Sequence, residues 1–402
     1  MTLRFRRSII VSGDHAAQDT GLISNNNSPK RKRKMKRIIT FAKTNVVMLI
    51  AASLAVITSF IVPPDKEYLE YFDFKTLTCL FTVLAVVCAL RNVRFFYTLA
   101  EKIVKRFTNA RIAVLALVYI TFIGSMLIAN DMALLTFLPL GYFVLVSTKK
   151  EKYMCVTFIL QNIAANLGGM LTPFGNPQNL YLYSKFNIPD GEFVLIMLPP
   201  FLLAILMITL SVILFIKPEP LEFSGVERKL PRARVIIYLL LFAYSILCVF
   251  RFIPYQTALI IIPIVILIMD RRALLDVDYG LLLTFVFFFI FSGNMSRIDT
   301  VREIFVFLLD KSTLLVSALS CQFISNVPTA ILLSRFTDNY RELLLGVNVG
   351  GCGTIISSLA SLITFREYSQ HNKGKAGKYL LVFSAFNFTF LAVMLLFSFL
   401  II

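Results

Sequence analysis

Residues 233–250, 258–269, 281–293 and 379–402 are apolar on every face of the helices they would form. A helix packed on a soluble core keeps one polar face, so runs of this kind call for lipid or protein on all sides. The composition agrees, because 57% hydrophobic and 16% charged residues leave too little charge to cover a soluble body of 402 residues. At roughly 20 residues per crossing, the pattern predicts spans at 45–62, 74–90, 153–186, 192–216, 233–250, 255–269, 279–293, 341–365 and 378–401. Two of these, 153–186 and 341–365, are broken internally. In 91–110, Phe95, Phe96, Leu99, Ile103 and Val104 alternate with Arg94, Lys102, Lys105 and Arg106, which suits a helix lying along the membrane surface.

The net charge of +17 sits in alternate connections. Lys30–Arg37, Arg91–Arg111, Lys149–Lys152, Arg228–Arg234, Arg271–Arg272 and Arg366–Lys378 are basic. The intervening connections Asp65–Asp73, Asp190–Glu192 and Asp338–Glu342 are acidic or mixed. This is the positive-inside pattern, and it places the N-terminus inside and the C-terminus outside after about nine crossings. It also removes the nucleic-acid reading of the charge, since no folded basic domain carries it. Six cysteines without a CxxC pair read as small core residues. The two histidines, His15 and His371, lie in polar segments, so no His-based metal site or proton relay is expected. Residues 1–37 read as a disordered basic tail without a signal peptide, and Met35 is a second candidate start.

Two apolar stretches do not fit single spans. Residues 111–147 carry Asn130-Asp131 at their centre, and 311–335 carry Ser325-Asn326. Read as re-entrant hairpins, they leave every basic loop on one side. Two full crossings of 111–147 would preserve that topology too, but its apex, Leu127–Leu135, lacks the Gly, Pro and charge of an exposed turn.

The chain also repeats itself. Asn166-Leu-Gly168-Gly169-Met-Leu-Thr172 recurs as Asn348-Val-Gly350-Gly351-Cys-Gly-Thr354. Upstream, Ala129-Asn130 matches Ser325-Asn326, and Tyr71-Phe-Asp73-Phe74 matches Asp276-Val-Asp278-Tyr279. The expected architecture is an all-α, polytopic, inverted-repeat transporter with two re-entrant hairpins and two broken helices. The first repeat is 45–216 and the second 233–402. Inverted copies suit alternating access around a midplane site. An inert duplicated scaffold is the rival, and it predicts that both breaks tolerate alanine.

The run Gly168-Gly169-Met-Leu-Thr172-Pro173-Phe-Gly175-Asn176-Pro177-Gln178-Asn179 cannot continue as an α-helix. Unwound backbone at membrane depth is tolerated where it lines a cavity or is held by protein. Carbonyls with Asn and Thr oxygens suit Na⁺, and the following helix N-terminus suits an anion. A proline kink with packing roles is the bland alternative. The second break, Asn348–Ser361, offers Thr354, Ser357 and Ser358. At the hairpin tips, Asn130, Asp131, Ser325 and Asn326 could be plain N-caps, or could aim helix N-termini at an anion. Asp131, a carboxylate at depth, should be paired with a cation or carry a proton.

At Asn130-Asp131-Met-Ala-Leu-Leu, Leu171-Thr-Pro-Phe-Gly-Asn-Pro-Gln-Asn-Leu180, Ser325-Asn-Val-Pro-Thr329 and Asn348-Val-Gly-Gly351, the chain resembles the ion transporter superfamily. It is most similar to the citrate-transporter-like and arsenite-permease-like anion permeases, which are related to divalent anion:sodium symporters. The resemblance spans about 40–400. It implies a scaffold domain and a transport domain, elevator-type movement, a bacterial inner (cell) membrane location, and room for a homodimer. It also implies one Na⁺ site at Asn130, Gly175 and Asn176 and another at Asn326, Ser357 and Ser358. Carboxylate symporters carry Ser-Asn-Thr at both tips, where this chain has Ala-Asn-Asp and Ser-Asn-Val.

The function expected is ion-coupled transport of a small carboxylate or oxyanion, with Na⁺ or H⁺ as coupling ion and no other cofactor. The candidate ligands are Asn130, Asp131, Thr172, Gly175, Asn176, Asn179, Ser325, Asn326, Asn348, Thr354, Ser357 and Ser358. A Na⁺/H⁺ antiporter using Asp131 is the rival within transport. An enzyme is not expected, because the chain has no HExxH, no paired intramembrane aspartates and no nucleophile–base set.

Overall fold

Several helix starts follow from capping residues at the edges of apolar runs, since Asp73, Asn109, Asp278, Ser312, Asn339 and Ser358 each accept a first-turn backbone N–H. The computed structural model of the protein describes residues 45–223 and 230–402. The basic tail expected at 1–37, and Arg228 of the basic loop, lie outside the described residues. From Val47 to Ile402 the chain forms one body, all-α among the described residues apart from an isolated bridge between Asn109 and Pro220.

Helix α1 (Val46–Ile61) leads to α2 (Phe74–Asn92), the surface helix α3 (Phe95–Val104), and the first hairpin arms α4 (Ala110–Ile128) and α5 (Asn130–Ser147). The first broken span follows as α6 (Met154–Gly168) and α7 (Pro177–Lys185), then α8 (Asp190–Phe215), α9 (Arg232–Val249) and α10 (Tyr255–Met269). A short turn of helix, α11 (Arg271–Leu275), precedes α12 (Tyr279–Ser296). Then come the surface helix α13 (Asp299–Lys311) and the second hairpin arms α14 (Thr313–Ile324) and α15 (Asn326–Leu333). The second broken span is α16 (Tyr340–Val349) and α17 (Leu359–His371), and α18 (Ala376–Ile401) closes the chain.

Eight helices among the described residues are long and apolar enough to cross a membrane, and a ninth arises if α13 and α14, bent by 119°, count as one. Helices α1 and α10 have 16 and 15 residues, about 24 and 22 Å at 1.5 Å per residue. Each falls short of a full hydrocarbon core on its own. Two kinds of all-apolar helix appear. Helix α2 is buried on every face from Thr82 to Leu90. Helices α8 and α18 expose leucines such as Leu214 (76%) and Leu400 (77%), a surface that only lipid or a partner can cover. The matched segments before α2 and α12 do the same local job. Asp73 accepts the Thr76 backbone N–H at 2.9 Å and Asp278 that of Leu281 at 2.9 Å, so each caps its helix N-terminus.

The loops sort into two ends, as the charge pattern predicts. At one end Arg297 pairs with Asp65 (2.6 Å), Arg341 with Glu192 (3.0 Å), and Arg335 Nη2 donates to the Tyr71 carbonyl (2.7 Å). At the other, Asn92 reaches Asp270 (3.1 Å), and the segment after α8 lies across the first hairpin's base. There Ala110 N–H donates to the Glu219 carbonyl, and Leu221 N–H to that of Thr108, both at 2.8 Å. By length each first-hairpin arm would cross alone. Its tip, however, meets the break between α6 and α7, with α7 still to run to the far end.

Lys150 (2.8 Å), Lys152 (2.6 Å) and Tyr153 (2.9 Å) all bind the Glu219 carboxylate. Hydrogen bonds from the two ammonium groups and the phenol hold its carboxyl down at about 2. A depressed carboxyl stabilises the fold fully above its unfolded value near 4.5 and loses that contribution as pH falls toward the folded value. Glu219→Gln should therefore melt below the wild type in detergent at pH 7, with the gap narrowing between pH 5 and pH 3. Equal melting at pH 7 would show that the strap does not stabilise the bundle.

Candidate functional site

Each hairpin turns over on one strained residue. Ala129 has φ 64° and ψ 151°, and Ser325 has φ 73° and ψ 159°. That region is nearly glycine-only and costs about 1–3 kcal/mol per residue. It persists because the next backbone N–H is held by the break of the same half. Asn130 N–H donates to the Gly175 carbonyl at 3.1 Å, and Asn326 N–H to the Ser357 carbonyl at 3.0 Å. In both tips the asparagine Oδ1 then accepts the following N–H, of Asp131 or Val327, at 2.9 Å. The plain N-cap reading of the tips is thereby corrected. Asn130 and Asn326 are first helical residues, and neither Ala129 nor Ser325 caps through its side chain.

The two breaks meet each other. Asn166, on the last turn of α6, accepts at Oδ1 from Asn130 Nδ2 (3.2 Å) in the first tip and from Ser358 Oγ (2.8 Å) in the second break. Asn176 Nδ2 bridges the Asn166 carbonyl (3.1 Å) and Asn348 Oδ1 (3.2 Å). Gln178 also donates to Asn348 Oδ1 (3.4 Å), and Asn348 Nδ2 donates to Asn179 Oδ1 (2.6 Å). Gly351 lies between the halves, since a Cβ there would sit 3.3 Å from Asn326 Nδ2 and 3.9 Å from Asn166 Cγ. Four helix N-termini (α5, α7, α15, α17) and four C-termini (α4, α6, α14, α16) therefore converge. Each N-terminus carries roughly half a positive charge and each C-terminus half a negative one. A cluster of this kind can solvate an anion and a cation together without a fixed charge of its own.

Several of the predicted residues brace the site. Asn179 Nδ2 donates to the Gly169 (3.3 Å) and Met170 (3.2 Å) carbonyls freed by the break. Thr172 Oγ1 donates to the Met126 carbonyl (2.7 Å) and ties the break to α4. Thr354 donates from N (2.8 Å) and Oγ1 (2.9 Å) to Gln322. Ser357 Oγ donates to the Gly351 carbonyl (2.9 Å), and Ser325 Oγ to that of Ser357 (3.3 Å). Asp131 has no cation partner among the described residues, and its buried Oδ1 accepts no hydrogen bond, so of the two states expected for it, ion pair or bound proton, the ion pair is absent. Asn176 Oδ1, Gln178 Oε1 and Asn166 Nδ2 are likewise buried without a partner, and such groups call for water or a ligand.

Sequence reasoning passed over Asn166, Asn162 and Gln322 as site residues. Asn162 Nδ2 donates to Ser361 Oγ (3.3 Å) across the halves, and Gln322 Nε2 to the Gly350 (2.9 Å) and Cys352 (3.1 Å) carbonyls. The signal was available. Asn162 and Asn166 are four apart, hence on one face of an apolar helix, and Gln322 lies three residues before a tip.

A model of the family described as "Citrate transporter" matches residues 37–340. This chain belongs to the citrate-transporter family. Among curated relatives, an uncharacterised transporter of Methanocaldococcus jannaschii is 31% identical over 342 residues, covering 84% of this chain and 92% of that one. The inner membrane protein YbiR of Escherichia coli is 28% identical over 320 residues, covering 77% and 84%. The family match ends at residue 340, so it takes in the first break and both tips. The second break joins the site through the hydrogen bonds of Asn166, Asn176 and Asn348.

Close backbone approach makes glycine obligatory within the first break, at Gly169 among other positions. A Cβ on Gly169 would lie on Asn176 Oδ1 and 2.7 Å from the Gly175 carbonyl oxygen, whereas at Gly191 it would meet nothing. Gly169→Ala should lower the melting temperature or prevent folding, because fixed backbone must move. Gly191→Ala should melt like the wild type. Equal stability of the two variants would show that the break is not closed as described.

Proposed function

We propose that this protein is a secondary active transporter of a small anion, a carboxylate or oxyanion, coupled to an ion gradient. The observation that carries the reading is Asn166, one buried amide bound at once by a tip of the first half and the break of the second. It supports treating the two tips and two breaks as a single site. The helix N-termini there favour an anion. The unpartnered Asn176 Oδ1 and the carbonyl ends suit Na⁺ at Asn130, Gly175 and Asn176, with a counterpart at Asn326, Ser357 and Ser358. In this reading 45–216 and 233–402 are inverted copies, and the site moves as one piece in an elevator-type cycle. The cross-half bonds Asn176–Asn348, Asn348–Asn179 and Asn162–Ser361 oppose any motion that would pull the breaks apart.

A thermal-shift panel of citrate, succinate, sulfate and arsenite, each with and without sodium, tests substrate class and coupling on purified protein. Asn176→Ala and Asn326→Ala should reduce proteoliposome uptake by roughly 5- to 150-fold, as expected when a buried partner worth about 1–3 kcal/mol is removed. Expression should be retained. Wild-type uptake by either variant would sink the proposed site.

Asp131 favours a second reading. Its buried, unpartnered oxygen suits a group that takes and gives a proton, as a Na⁺/H⁺ antiporter requires. Sodium-driven proton flux with no organic or oxyanion substrate present, abolished in Asp131→Asn, would decide for it. An unchanged pH profile of anion uptake in Asp131→Asn would leave the residue without a coupling role.

A further inference from the structure

The end of the bundle that carries the acidic loops also holds a group of four cations around α7. Lys75 is on the first turn of α2, Lys185 ends α7, Arg251 follows α9, and Arg335 follows α15. None of them lies within salt-bridge distance of a carboxylate among the described residues. They surround the outer turn of α7, the half-helix whose inner end is Asn176. Arg251 Nη2 donates to the Tyr183 carbonyl (2.9 Å), with its guanidinium 4.2 Å from that ring's centre. On the opposite flank the Tyr181 hydroxyl bonds Ser334 Oγ (2.8 Å), and Arg335 Nη2 reaches the Tyr71 carbonyl (2.7 Å).

Two features, unused guanidinium N–H groups and facing like charges, set this cluster apart from ordinary surface charge. Both arginines bury an Nε–H that donates to nothing, leaving part of each guanidinium fork unused. Arg251 takes its left-handed φ of 67° as the helix-ending residue after α9, where Phe252 N–H donates to the Leu247 carbonyl (3.0 Å), and this turn fixes where its side chain starts. Like charges also face one another, Arg251 acting on Lys75 and Arg335 on Lys185. Nearby carboxylates are already engaged or set apart. Asp73 binds Thr76 through both oxygens (2.9 and 2.6 Å) and acts through space on Lys75 and Lys185, Asp190 takes the Tyr183 hydroxyl, and Asp338 acts on Lys185 through space. Unpaired cations on the acidic end run against the positive-inside pattern, and a multivalent anion among them would lower the repulsion that Asp73 and Asp338 offset only in part.

We propose that Lys75, Lys185, Arg251 and Arg335 form an anion-binding vestibule at the outer end of α7. It would take a multivalent anion, a polycarboxylate or an inorganic oxyanion, before that anion enters the central site. The vestibule depends on the anion-carrier reading for its purpose, and its binding is measurable without transport. The experiment is amine acetylation of the purified full chain by a membrane-impermeant reagent, read per lysine by mass spectrometry. Citrate or sulfate is titrated at constant ionic strength, with Lys66, exposed at the same end, as reference.

Either anion should slow labelling of Lys75 and Lys185 several-fold while Lys66 is unaffected. Removing one charge with Lys185→Gln should raise the half-protecting concentration at Lys75 about fivefold. Asn176→Ala should lose uptake yet keep the protection. Protection at Lys66 equal to that at Lys75, no protection at all, or protection lost in Asn176→Ala would each overturn the vestibule. Protection persisting in a wild type that takes up no anion would leave the vestibule standing and remove the carrier reading.

Discussion

An unpaired backbone N–H or carbonyl costs several kcal/mol in hydrocarbon, and this chain breaks two helices at membrane depth. The rest of the structure follows from answering those breaks. Each hairpin tip donates its first helical N–H to a carbonyl freed in the facing break, Asn130 to Gly175 and Asn326 to Ser357. Asparagine and glutamine side chains then take up what remains: Asn179 on Gly169 and Met170, Asn176 on Asn166, Gln322 on Gly350 and Cys352. The amide side chain suits the task because it donates and accepts at once and carries no charge to bury.

The glycines follow from the same requirement. Gly169 and Gly175 touch through backbone, a separation no Cβ would permit. Gly351 leaves open the gap through which Asn166 and Asn326 approach. These positions read in sequence as helix breakers, but in the fold they are contact points. Helices α2 and α12 are placed for the same end, capped by Asp73 and Asp278 and packed where the breaks need protein rather than lipid.

Much of this was legible in the chain. Apolar runs and charge alternation placed the spans within a few residues, and the Asn-x-Gly-Gly repeat named both breaks. Two things were not legible. The strained turns at Ala129 and Ser325 leave no mark in composition, because neither residue type prefers that backbone region. The roles of individual amides were hidden as well, since an asparagine that binds and one that braces have the same letter. Asn179 and Thr172 turned out to brace carbonyls. Asn166, noticed only as part of the repeat, joins the halves. Asp131 was expected either beside a cation or carrying a proton, and which cations lie across helices that are distant in sequence is what local pattern cannot supply.

The near-identity of the two tips has an energetic corollary. With φ of 64° and 73° and ψ of 151° and 159°, and the same bond holding each, the halves carry closely matched local strain. Matched strain gives neither tip a head start in releasing its break. If exchanging the roles of the halves is what turns the molecule from one face to the other, the two end states lie close to degenerate. The unloaded site would then face either side of the membrane about equally often.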